Sequence, residues 1–347
     1  MRVAILSATR AGAELGRTLQ AALGPGTALY GPAGSGLPLY PGPLSQAVGE
    51  LFQEYDGLVL FLAAGAAIRL LAPHLKSKRT DPGVVVVDAA GHYAVSLLAG
   101  HLGGGNELAR RVAAALGATP VLTTASEALG LPALDLWMDS QGLKVDDPTE
   151  LTRAMAAAVN GEELRFFGPV APPGYRPHVL AEYRPGNGHY SLVITERTDW
   201  APDPRALFLR PPNLRAGLGC RRGTAAREIR AALAETLAAA GLSPLSLTAL
   251  ASIDLKMGEP GLIAAARELG LPLRLFAPSR LAAVPGLSES EYVRAKVGVG
   301  AVCEPAALLA GGETTLVVSK RRFPGVTVAI AAAAWPWSGS VPAARRS

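Results

Sequence analysis

The stretch GHLGGGNEL, Gly100 to Leu108, sets a histidine beside three consecutive glycines just ahead of an amphipathic segment. An imidazole there is able to move protons. Gly103, Gly104 and Gly105 permit positive φ and close approach by a ligand, Asn106 is placed to cap the following helix, and Glu107 falls in its first turn. Amides at a helix start point outward and suit an anion. The residues leave two interpretations open: His101 does chemistry facing that opening, or it is bonded to a nearby backbone group in a tight turn.

Two further loops combine glycine with polar groups where a strand hands over to a helix. In GLGCRRGT, Gly217 to Thr224, Arg221 and Arg222 beside a helix start make a grip for carboxylate or phosphate, or else a solvated basic turn. The spacing is not that of a dinucleotide fingerprint, and the Lys-Ser/Thr pair of a P-loop is missing. In GVGAVCEPAAL, Gly298 to Leu308, Pro305 suits a first helical turn, and Cys303 or Glu304 caps that helix or faces the cleft. A helix start lowers a thiol pKa, which would make Cys220 and Cys303 reactive; burial would leave them inert. The charged runs SIDLKMGEPGL, with Asp254, Lys256 and Glu259, and SKRTDPG, with Lys78, Arg79 and Asp81, read as surface turns. The five histidines, at 74, 92, 101, 178 and 189, are scattered without metal-ligand spacing, so no metal site is expected.

The elements that must position these loops alternate strand and helix. VAIL, Val3 to Leu6, opens a first strand, and Leu15, Leu19 and Leu23 repeat at helical spacing. After a Gly/Pro-rich connection over Gly24 to Pro43, GLVLFL is a second strand, AAIRLLAPHL a helix and GVVVVD a third strand, its valine run suiting burial on both faces. Asp88 to Gly91 is turn chemistry, so HYAVSLL returns as a hairpin partner, and VLTT, Val121 to Thr124, closes the unit.

Between Leu131 and Pro212 the pattern weakens to one helix, Pro148 to Val159, and the strands YSLVITE and ALFLR. A second α/β unit starts near Asn213, with a long helix from Thr224 to about Ala240, the helix GLIAAARELG, the strand LPLRLF, the helix VCEPAALLAG and the hairpin TLVVSKRRFPGVTVAIA. The expected fold is α/β, with two α/β lobes joined by a smaller, less regular middle domain. The expected division is 1–130, 131–212, 213–332 and a flexible tail over 333–347.

A chain of 347 residues, 49% apolar and 18% charged, has material for more than one packed core. The net charge of +5 suits an anionic partner, but no run of five basic residues points to nucleic acid. Two cysteines more than eighty residues apart make no disulfide framework. The opening residues read as a strand with no cleavage-like stretch, and the longest uncharged run, Gly57 to Ile68, is too short for a bilayer, which needs about 20 residues. The expected setting is the cytoplasm, without membrane or nucleic-acid partners.

The stretch AAGAAIRLLAPHLKSKRTDPGVVVVDAAGHYAVSLLAGHLGGGNELARRVAAALGATPVLTTAS closely resembles the amino-terminal domain of the cobalt-precorrin-5A hydrolase family, CbiG, of anaerobic cobalamin biosynthesis. GLGCRRGT, ASIDLKMGEPGL and VGVGAVCEPAALLAGG look like its carboxy-terminal domain, in the same order. The resemblance implies a hydrolase that opens the δ-lactone of cobalt-precorrin-5A and expels the ring-contraction carbon with its methyl as acetaldehyde, giving cobalt-precorrin-5B. Cobalt then arrives with the substrate, and the protein needs no cofactor of its own. His101 becomes the candidate general base or acid, with Glu107 and Asp88 in reserve and neighbouring loop amides as oxyanion donors. Contacts to the carboxylate-edged macrocycle fall to Gly100, Gly103, Gly104, Asn106 and Arg69 in the first half, and to Cys220, Arg221, Arg222, Thr224, Lys256, Cys303 and Glu304 in the second. Neighbouring corrin-pathway enzymes are the expected partners, and the competing function is that of a corrinoid carrier without turnover.

Overall fold

The structure, a computed structural model, describes residues 1–40, 42–77, 80–285, 300–312 and 314–335. Lys78, Arg79, Gly298 and most of the expected tail lie outside them. The chain divides into two compact units, Met1–Leu136 and Trp137–Ser347.

The first unit is built on one sheet. Its elements run β1 (Val3–Ser7), α1 (Arg10–Leu23), β2 (Thr27–Tyr30), α2 (Leu44–Glu54), β3 (Gly57–Phe61), α3 (Ala64–Leu71), β4 (Gly83–Val87), β5 (Tyr93–Leu98), α4 (Gly105–Leu116), β6 (Thr119–Val121) and α5 (Ala125–Ala128), with α6 (Leu134–Ser140) beginning at its end. The strand order is β2-β1-β3-β4-β5-β6. The first four strands are mutually parallel and β5 turns back antiparallel to β4.

Alternation decides which helix covers which face. Val85 and Val87 join Ile5, Val59 and Phe61 in a core closed by Leu19 of α1 and Leu108 and Val112 of α4. Val84 and Val86 join Leu6, Leu58 and Leu60 in a second core closed by Val48 and Phe52 of α2 and Leu71 of α3. The valine run is therefore buried on both sides, as its sequence implies.

Two expectations for this unit are corrected. The connection Gly24 to Pro43 contains β2, an edge strand whose four residues are hidden among glycine and proline. The closing strand β6 is Thr119–Val121, so most of VLTT lies beyond it in the approach to α5.

The second unit carries two five-stranded sheets. The middle part holds β7 (Lys144–Val145), α7 (Pro148–Val159), β8 (Leu164–Phe167), β9 (Pro177–His178), β10 (Tyr190–Ile194) and β11 (Ala206–Arg210), ordered β7-β11-β10-β8-β9. As expected it is less regular than the parts on either side, but it does form a sheet; its strands of two to five residues are too short to show a period in the sequence.

The carboxy-terminal part follows with β12 (Leu214–Cys220), α8 (Ala226–Ala239), β13 (Leu247–Ile253), α9 (Pro260–Glu268), β14 (Leu273–Phe276), α10 (Pro278–Ala282), α11 (Cys303–Leu309), β15 (Thr314–Phe323) and β16 (Val326–Ala333). Its order is β14-β13-β12-β16-β15, so the closing hairpin adds to the edge of a parallel trio. β13, in LSLTALASI, is absent from the sequence expectation. Gly217 on β12 lets α11 lie directly on the sheet: a Cβ there would stand 1.8 Å from the Cys303 carbonyl oxygen.

Candidate active site

His101 follows the carboxyl end of β5 on a loop held by close packing. Ala99 takes φ 49° and is the one non-glycine with positive φ among the described residues. The chain enters α4 through Gly104 at φ 76°. Gly103 and Gly105 do not adopt positive φ. They are glycines because a Cβ at Gly103 would lie 2.4 Å from the Ala99 Cβ and one at Gly105 would lie 2.5 Å from the Leu98 carbonyl oxygen. At Gly100 a Cβ would meet Asn106 Oδ1 at 2.6 Å.

The amides of Gly104, Gly105 and Asn106 are engaged by the carbonyls of His101, Ala99 and Gly100. They therefore do not serve as the oxyanion donors expected of this loop. Nor does Asn106 cap α4: it is 3% exposed, and its Nδ2 donates to Thr124 Oγ1 at 3.2 Å and Glu127 Oε1 at 3.5 Å. Arg110 holds the same Glu127 carboxylate at 2.5 Å. One face of α4 thus fixes the segment Thr124 to Glu127, and Ser126 lies within it.

Ser126 and Asp135 flank the imidazole. Ser126 Oγ lies 3.1 Å from His101 Nε2, and Asp135 Oδ1 lies 3.3 Å from His101 Nδ1. The three side chains are largely withdrawn from water: Ser126 is 5% exposed as a residue, and the His101 and Asp135 side chains are 12% and 16% exposed. Burial works to raise the Asp135 carboxyl pKa, but the hydrogen bond and charge of His101, with backbone amides, outweigh it and leave the carboxyl below its usual range. An ionised Asp135 only accepts, so the tautomer that suits it carries the proton on Nδ1, and in that tautomer the Nε2 lone pair faces the Ser126 hydroxyl. Neither partner was legible in the sequence. They stand 25 and 34 residues after His101, among unremarkable helix-forming residues.

The reserve carboxylates are elsewhere. Asp88 sits at the turn between β4 and β5, accepting from the Ala90 and Tyr93 amides. Because β5 is antiparallel to β4, with Val87 opposite Ala94 and Val84 opposite Leu98, that turn and the His101 loop are at opposite ends of the sheet. Glu107 does lie in the first turn of α4, but its carboxylate is 69% exposed and reaches toward Arg110. Arg69 donates to the Gly65 carbonyl within α3, the helix on the opposite sheet face from α4.

In the second unit, the GCRRGT loop closes on a buried carboxylate. Glu259 is 6% exposed; its Oε1 accepts from the Gly223 amide at 2.7 Å, and its Oε2 from Lys256 Nζ at 3.0 Å. The Gly223 hydrogen bond, then Lys256, hold its carboxyl below the usual range. The charged SIDLKMGEPGL run is therefore a brace, not the surface turn it resembles.

The Thr224 and Ala225 amides are also engaged, by the Arg221 carbonyl and the Glu228 carboxylate, and Thr224 Oγ1 donates to the Arg221 carbonyl at 2.9 Å. Arg221 and Arg222 are exposed on this loop. Burial pushes the Cys220 thiol up and the Cys303 thiol up to about 11, so neither is an activated thiol. Glu304 is 4% exposed and accepts from the Lys320 amide at 2.9 Å; it neither caps α11 nor faces an opening. Among the described residues no group of three His, Cys, Asp or Glu side chains could hold a metal ion, and no helix is long and apolar enough to cross a membrane.

A two-faced α/β sheet whose following loop and helices bring a serine, a histidine and an aspartate side by side defines the class: an α/β protein with a Ser-His-Asp cluster. The comparisons with known proteins agree along the chain. Residues 46–127 match the family described as Cobalamin synthesis G N-terminal, 132–211 the Cobalamin biosynthesis central region, and 214–331 the Cobalamin synthesis G C-terminus.

Cobalt-precorrin-5A hydrolase of Priestia megaterium is 35% identical over 310 residues, covering 84% of this chain and 83% of that one. The protein of the same name in Salmonella typhimurium is 33% identical over 322 residues, 85% of this chain and 87% of that one. Protein CobE of a Sinorhizobium species is 38% identical over 118 residues, 33% of this chain and 77% of its own. The chain belongs to the cobalt-precorrin-5A hydrolase family, CbiG.

Proposed function

We propose that this protein is a cobalt-precorrin-5A hydrolase of anaerobic cobalamin biosynthesis, working in the cytoplasm, and that His101 moves the protons of the reaction. It opens the δ-lactone with water and releases acetaldehyde, leaving cobalt-precorrin-5B. The observation that carries the assignment of the site is the position of His101 between Ser126 Oγ and Asp135 Oδ1. Asp135 orients the ring and stabilises the imidazolium that forms when Nε2 takes a proton. The same nitrogen then returns that proton to the oxygen leaving the acyl carbon. Loss of the carbon fragment as aldehyde needs an electron sink, which the conjugated, cobalt-bearing macrocycle of the substrate supplies.

Arg221 and Arg222 suit the acetate and propionate arms that edge the macrocycle, because a guanidinium binds a carboxylate with two parallel hydrogen bonds. Incubation with cobalt-precorrin-5A tests the function. Acetaldehyde and cobalt-precorrin-5B are expected from the parent protein, and His101→Gln should slow both by about 10² or more, as for a lost acid-base group. A shift of the absorption spectrum without acetaldehyde would instead identify a carrier.

A further inference from the structure

We infer that Ser126 is the nucleophile of lactone opening, so that the side-arm acyl group passes through an ester on Ser126 before water releases it. This rests on the hydrolase reading above and adds a covalent intermediate to it. Three observations point there. The hydroxyl is 3.1 Å from His101 Nε2, and the Asp135 carboxylate lies 3.3 Å from the other ring nitrogen. The segment bearing it is fixed on both sides of Ser126, through Thr124 and Glu127, by Asn106 and Arg110 of α4. Ser126 is buried without being needed as a cap: α5 receives no side-chain cap bond from Thr124, and the Ser126 backbone carbonyl, not its hydroxyl, closes the following turn on the Leu131 amide. A serine, a base and an orienting carboxylate in this sequence of contacts form a nucleophile on any fold.

The steps balance. Ser126 Oγ attacks the lactone acyl carbon while its proton passes to His101 Nε2. The bond between the acyl carbon and the ring oxygen breaks, and that oxygen takes the proton from His101, giving a free hydroxyl and an ester on Ser126. Water then gives a proton to His101 and attacks the ester carbon; Ser126 Oγ leaves with the proton returned from His101. The sum is lactone plus water giving hydroxyl and carboxylic acid, with no oxidant or reductant.

Two measurements test it. A fluorophosphonate probe applied to the parent protein should label Ser126, with labelling lost in Ser126→Ala and in His101→Gln; peptide mass spectrometry locates the adduct. Acid-quenched mixtures of the parent with cobalt-precorrin-5A should contain protein carrying the substrate mass on the Ser126 peptide, and Ser126→Ala should open the lactone about 10³-fold more slowly. Ser126→Cys, which keeps the side-chain shape, guards against a folding defect: it should keep the parent's circular dichroism and accumulate a thioester. Lactone opening by Ser126→Ala within threefold of the parent, with His101→Gln inactive, overturns the serine step and leaves water attacking directly. Labelled Ser126 in a parent protein that releases no acetaldehyde overturns the hydrolase reading while still marking a nucleophilic serine.

Discussion

Asp135 Oδ1 lies 3.3 Å from His101 Nδ1 and also accepts from the Leu136 amide, and replacing the carboxylate tests the first of these contacts. Asp135→Asn keeps the volume but no longer favours the tautomer with the proton on Nδ1, so the turnover rate should fall by on the order of 10² to 10⁴ with the Michaelis constant unchanged. Steady-state kinetics on cobalt-precorrin-5A checks this, and a change confined to the Michaelis constant would contradict it. The same carboxyl couples stability to pH. Its folded pKa lies below the ordinary value of 3.8, so its stabilisation is fully present above that value and is lost as pH falls through the depressed folded value. Denaturant unfolding should separate the parent from Asp135→Asn at pH 6, and the gap should shrink toward pH 3. At this scale the sequence displayed only part of the site. His101 stood out because glycines surround it, whereas Ser126 and Asp135 carry no local pattern and meet it only through the docking of α4 against α5 and the course of the chain into α6.

The helices hold these side chains by packing, and α4 does so most directly. Leu108 is fully buried two residues after Asn106, so Leu108→Ala should cost about 3 kcal/mol by the cavity it leaves, read from the denaturant midpoint. In the carboxy-terminal sheet, a Cβ at Gly217 would stand 1.8 Å from backbone oxygen. Gly217→Ala therefore forces α11 off β12 and should destabilise by about 3 kcal/mol, near the upper end for an overpacked core. Cys303 at the start of α11 is nearly inaccessible, with its thiol pushed up to about 11. Iodoacetamide at neutral pH should modify it only after unfolding; fast alkylation of the folded protein would contradict the burial. Elements with a long period were legible in sequence: the valine run of β4, the α4 stripe and the Pro148–Val159 helix. β2, β8 and β13 were not. β2 is four residues flanked by Gly/Pro turns, β8 is as short, and the leucine and alanine of β13 read equally as helix.

At the scale of the whole molecule, the proposed function assigns proton transfer to His101 in one unit and carboxylate binding to Arg221 and Arg222 in the other. Arg221→Ala combined with Arg222→Ala should raise the Michaelis constant about tenfold, the order of one charge-assisted hydrogen bond, and leave the turnover rate near the parent's. Unaltered binding in that variant would remove these arginines from the substrate site. Three family segments match in succession between residues 46 and 331. The most direct test of the site is acetaldehyde released from cobalt-precorrin-5A by equal amounts of folded parent and His101→Gln protein. Steady release by the parent and a rate lower by about 10² or more in the variant is the expected result; equal rates from the two proteins would contradict it.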